Sequence, residues 1–239
     1  MKTQDITYRD GDLSCNGFLA YDETIRDKRP GVLVVHEAWG LGEHAKERAK
    51  MLAGLGYVAF AADMFGGRKQ ISDMKEAMAV IGDLLGNPPK IRARAQAALS
   101  TLASQPQVDA KRLGGIGFCF GGSTVLELAR EGTDLAGVVS FHGGLETKGP
   151  AVSGAVKAKV LVCTGADDPL IPPPQVVAFE EEMRKAGADW QVISYGKTVH
   201  SFTNPSANGA VSPALLYNKS TDKRSWAAMT SFFEEAFAR

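Results

Sequence analysis

A chain of 239 residues that is 44% hydrophobic and 23% charged has globular composition, and its length fits one large α/β domain over residues 1–239. Its 27 basic residues balance 27 acidic ones without a basic stripe, so it lacks the electrostatic footprint of a nucleic-acid binder. No stretch approaches the roughly 18 apolar residues of a membrane span, residues 1–10 hold no apolar signal core, and three cysteines without Cys-x-x-Cys spacing fit a reducing compartment.

In chain order, residues 4–21 alternate about Asp10-Gly11-Asp12 and predict a β-hairpin. Buried-strand runs follow at 31–36, 58–62, 112–118, 137–141, 159–164 and 191–195. Helical stretches fall near 43–55, 72–85, 90–104, 122–131, 175–187 and 222–237. Strands apolar on both faces and separated by helices predict a mostly parallel, doubly wound sheet behind an N-terminal hairpin. Ligands of such sheets bind beyond the carboxyl ends of the strands. Those ends carry His36-Glu37, Asp63, Cys119, His142, Asp167-Asp168 and His200.

The strongest motif is Gly117-Phe118-Cys119-Phe120-Gly121-Gly122, between an apolar strand and a helix. It fits the G-x-nucleophile-x-G elbow with Cys in place of Ser. The strand turns so sharply into the helix that glycines are required on both sides of the nucleophile. The amide of Phe120 then points to where an oxyanion develops, and the helix N-terminus favours negative charge there. The partners of an elbow follow it in the order acid, then histidine. Asp167-Asp168-Pro169 comes after the strand at 159–164, and His200 after the strand at 191–195. Position separates the two aspartates only weakly; Asp168 is preferred because Asp167 also suits a capping or surface role.

These residues resemble the dienelactone hydrolase family of the α/β-hydrolase superfamily, over nearly the whole chain. The specific marks are His36-Glu37-Ala38-Trp39-Gly40, the elbow with its cysteine, Asp168 within Gly165–Pro172, and Val199-His200-Ser201-Phe202. The resemblance implies a role for Glu37 in tuning the thiol, and a second oxyanion donor in the amide of Ala38. One departure matters. Family members acting on dienelactone hold its carboxylate with arginines, one shortly after the catalytic histidine. Here His200-Ser201-Phe202-Thr203-Asn204-Pro205 carries none, so neutral esters or lactones are the expected substrates, with Arg68 as the remaining candidate cation.

Trp39, Phe202 and His142 are candidate pocket residues, and His44 reads as a solvated helical residue. No cofactor or metal is expected: His36, His142 and Asp168 lack short-range ligand pairs, and Gly114-Gly115-Ile116-Gly117 lies inside a strand rather than opening a helix. The expectation is a cytoplasmic monomer or homodimer, without membrane or nucleic-acid partners, that hydrolyses a small-molecule ester or lactone. Cys119, His200 and Asp168 act through a thioester. The same triad suits a thioesterase or peptidase, and an exposed Cys119 alone would suit a redox-sensing or interaction domain.

Overall fold

Residues 1–238 are described by the structure, a computed structural model. Two nine-residue strands, β1 (Lys2–Asp10) and β2 (Leu13–Tyr21), form an antiparallel hairpin that turns at Gly11 with φ +56°. The remaining strands are β3 (Arg29–Val35), β4 (Val58–Ala62), β5 (Val108–Phe118), β6 (Gly137–Phe141), β7 (Lys159–Gly165) and β8 (Trp190–Tyr195). All eight lie in one sheet in the order β1-β2-β4-β3-β5-β6-β7-β8. β2 runs antiparallel to β4, and every pairing from β4 onward is parallel.

The helices are α1 (Glu43–Gly54), α2 (Met74–Leu85), α3 (Pro88–Ala103), α4 (Phe120–Glu131), α5 (Pro173–Ala186) and α6 (Lys219–Ala236). They cover both faces of the sheet. Val32 and Val34 point into a core closed by α1 and α6, while Leu33 and Val35 point into one closed by α2 to α5. This alternation is the period of two of a strand with both faces covered, and it explains why β3 and β4 read as unbroken apolar runs.

The element boundaries depart from the sequence expectation in places that have local causes. β5 begins at Val108 rather than 112, and its register with β3 shifts between Pro30 and Gly31. Asp109 accepts the amide of Lys111 and the Nε of Arg112, folding the charged residues into a bulge. α3 starts at Pro88, where proline suits a first helical turn. α4 starts at Phe120, two residues before the predicted position, because Gly121 and Gly122 belong to its first turn.

Chain order reverses at β3, which has β4 on one side and β5 on the other. A crevice beyond the strand ends is expected at such a switch point. Glu37 follows β3 there and Cys119 follows β5. Among the described residues, no helix is long and apolar enough to cross a membrane, and no group of three or more His, Cys, Asp or Glu side chains is placed to hold a metal.

Candidate active site

Cys119 occupies the turn between β5 and α4 with φ +54° and ψ −117°, a strained conformation for a residue bearing a Cβ. Its amide donates to Phe141 O at 3.0 Å and to His142 Nδ1 at 3.1 Å, so the turn is tied to the end of β6. A Cβ on Gly117 would sit 1.9 Å from Gly121 O, and one on Gly121 would sit 2.1 Å from Val35 O. The elbow glycines are therefore a steric requirement. The amides of Ala38 and Phe120 take no part in the backbone hydrogen bonds around this turn. Cys119 is partly exposed, whereas Cys15 and Cys163 are fully buried, and burial pushes their thiols up to about 11 and about 12.

His200 Nδ1 lies 2.7 Å from Asp168 Oδ2, with both side chains buried, and Asp168 Oδ1 accepts the amide of Leu170. Asp167 is exposed on the other side of the turn. His200 Nε2 has no hydrogen-bond partner. Burial alone would lower the imidazole, but the neighbouring Cys119 and the bond to Asp168 outweigh it and raise His200 to about 10. Cys119 and His200 open into the same groove, of about 950 Å³, walled by α2, by α5 and by residues 144–150.

Glu37 is buried, which pushes its carboxyl above the ordinary range. Asn204 Nδ2 donates to its Oε2, His44 Nδ1 approaches the same oxygen at 3.5 Å, and Oε1 has no partner. No hydrogen bond joins Glu37 to Cys119.

The pocket candidates lie elsewhere. His142 is fully buried behind the elbow: Nδ1 accepts from the Cys119 amide, and Nε2 donates to Thr203 Oγ1 at 2.8 Å. Phe202 is fully buried against His142, in the core on the α1 and α6 face. Trp39 packs half-buried at the edge of the core and does not line the groove. Arg68 is corrected most clearly. Its guanidinium pairs with both oxygens of Asp5 at 2.9 and 2.8 Å and donates to the carbonyls of Asn16 and Gly17. Four amide bonds to the Asp63 carboxylate, from Asn16, Phe65, Gly66 and Arg68, fold the loop so that Arg68 meets the hairpin instead of a substrate. His44, read as solvated, is mostly buried and bonded to Thr203 O.

Sequence reasoning passed over Thr203 and Asn204, which tie the His200 loop to His142 and Glu37. It also missed the groove walls, although the doubled apolar pattern of Ala77-Met78 and Ile81 to Leu85 signals a helix apolar on two sides.

Comparison with known proteins matches residues 16–237 to the model of the dienelactone hydrolase family. A Caenorhabditis elegans protein is 40% identical over 151 residues, covering 62% of this chain and 96% of its own. A Methylorubrum extorquens protein provisionally named a carboxymethylenebutenolidase is 28% identical, covering 72% of this chain and 63% of its own. The solved structure named m3DLH superposes with a TM-score of 0.95 at 46% identity, covering 99% of this chain and 98% of its own. A dienelactone hydrolase-like promiscuous phosphotriesterase from metagenomic libraries superposes with a TM-score of 0.92 at 43% identity over the same shares.

Proposed function

The chain belongs to the dienelactone hydrolase family and is a carboxylic ester or lactone hydrolase, and on that premise we propose that Cys119 is its nucleophile, His200 its proton carrier and Asp168 the orienter of His200. One observation carries the assignment: His200 is fixed through Nδ1 on Asp168 while its unpartnered Nε2 shares a groove with Cys119. His200 raised to about 10 makes its imidazole a strong enough base to accept the thiol proton.

In the proposed reaction Sγ of Cys119 attacks the carbonyl carbon, and the thiol proton passes to His200. The free amides of Ala38 and Phe120 stabilise the oxyanion. When the C–O bond breaks, His200 gives its proton to the departing alkoxide, which in a lactone stays tethered through the acyl chain. Water then attacks the thioester with His200 as base, the C–S bond breaks, and the proton returns to the thiol. Glu37 is the candidate for tuning that thiol, since its Oε1 is unpartnered and His200 lies close enough to pull its carboxyl down against burial.

Thiol alkylation followed by mass spectrometry tests the assignment. Loss of activity should track modification of Cys119, and Cys119→Ser should retain little turnover because an alcohol demands a stronger base. Inactivation through Cys15 or Cys163 with Cys119 unmodified would refute it.

A further inference from the structure

α2 is more apolar than its packing against the body of the protein requires. Ala77, Ile81 and Leu84 are buried and satisfy the core. Met78, Gly82 and Leu85 form a second stripe, three to four residues apart and therefore on one side of the helix, and they line the groove that holds Cys119 and His200. Met78 is 55% exposed, and Leu170, also in the lining, is 53% exposed. Large apolar side chains left open at the rim of a catalytic groove mark a binding surface.

The groove offers little to a charged ligand, because its polar side chains are already engaged within the protein. Ser123 Oγ donates to Gly144 O, and Gln175 Oε1 accepts from Leu145 N. Glu182 takes both nitrogens of the Arg130 fork together with the amide of Ala151. Thr147 Oγ1 accepts the amide of Gly149. Apart from the proposed catalytic pair Cys119 and His200, only Glu146 and Lys148 remain, both exposed and opposite in charge.

We infer that the groove between α2 and α5 is the site for an uncharged, extended apolar chain of the ester substrate, with Met78, Gly82 and Leu85 as one wall and Leu145 and Phe179 as the other. The volume of about 950 Å³ is at the upper end for small-molecule sites, about 300–1,000 Å³, and so larger than a compact lactone requires. The stripe from Met78 to Leu85 runs about 10 Å along the helix, room for a chain of about eight carbons. This inference rests on the proposed catalytic site, because the chain must lead to Cys119.

The test is a series of 4-nitrophenyl esters from acetate to octanoate, a parallel series of alkyl acetates, and the 4-nitrophenyl monoester of octanedioic acid. kcat/KM should rise about two- to fourfold per methylene in at least one series; the series that responds identifies the acyl or the alcohol side as the occupant. The carboxylate-ended ester should fall at least about tenfold below the octanoate, since the groove supplies no buried partner for its charge. Gly82→Phe fills open space, as a Cβ there meets nothing within 4 Å, and it should cut the octanoate-to-acetate ratio at least about tenfold. Met78→Lys, at an exposed position, should shift preference from the octanoate towards the carboxylate-ended ester; thermal melts check that both variants fold. Turnover that vanishes in Cys119→Ala but is flat along both series overturns the inference and leaves the catalytic assignment standing. So does an unchanged chain-length profile in folded Gly82→Phe. Turnover that survives Cys119→Ala overturns both.

Discussion

Asp167 and Asp168 differ in where the turn after β7 sends them. The amide of Asp167 bonds to Thr198 O while its side chain stays in solvent; Asp168 turns inward, caps Leu170 and meets His200 at 2.7 Å. A carboxylate on Nδ1 fixes the tautomer that leaves Nε2 able to take a proton. Asp168→Asn is therefore expected to lower kcat by about four orders of magnitude, as loss of such an orienter does in related triads. Asp167→Asn should change it less than about twofold, like a surface substitution. Steady-state kinetics on one ester decides, and reversed results would move the acid by one residue. Arg68 gives the complementary expectation. Its ion pair with Asp5 is partly exposed, so Arg68→Ala should cost about 1 kcal/mol of stability. Selectivity between neutral and carboxylate-bearing esters should stay as it was.

The elements that build the candidate site were legible where local sterics dictate the residue, and obscure where partners come from afar. Gly117 and Gly121 mark the elbow because backbone atoms stand about 2 Å from where their Cβ atoms would be, and this demand is visible in the spacing alone. The parallel strands were equally readable from runs of apolar residues, and with them the strand ends at which the proposed nucleophile, acid and histidine stand. The bulge at Asp109 was not, because its charges resemble a loop until β3 is present to pair with. Nor was the clamp on the groove wall. Arg130 of α4 joins Glu127 one turn earlier to Glu182 of α5 and also holds Leu145 O, linking residues far apart in sequence. Arg130 is 3% exposed, and removing one partner of a buried ion pair strands the others. Arg130→Ala is expected to cost about 3–5 kcal/mol, read from denaturant midpoints. Arg130→Lys should recover only part, since an ammonium cannot make the forked contact with Glu182.

Across the whole molecule, three of the four histidines are folded away in neutral form. Burial pushes His36 down to about 4 and, with the Arg48 charge, His44 to about 3; His142 is also held well below the ordinary range, first by burial and then by the charge of His200. In the unfolded chain each returns to the usual value near 6.5. Their contribution to stability is complete above pH 6.5 and is lost as the pH falls towards 4 and 3, because the unfolded state then binds protons that the native state refuses. His200 adds no slope in that window: its raised value keeps its contribution whole below 6.5, to be lost only as the pH climbs towards 10. Glu37 opposes the trend, since its raised carboxyl binds a proton in the folded state before it does in the unfolded one. The three histidines take up protons on unfolding and Glu37 offsets part of that uptake, so stability should fall between pH 6 and 4 by about 1.4 kcal/mol per pH unit for each net proton bound. Denaturant midpoints across pH 4–7 measure this limb. His44→Phe retains an aromatic ring beside Phe118 and removes one titrating group, so the limb should flatten by about 1.4 kcal/mol per pH unit. A limb of undiminished slope in that variant, or no fall in stability above pH 4.5, would show that these histidines are not what makes the fold acid-labile.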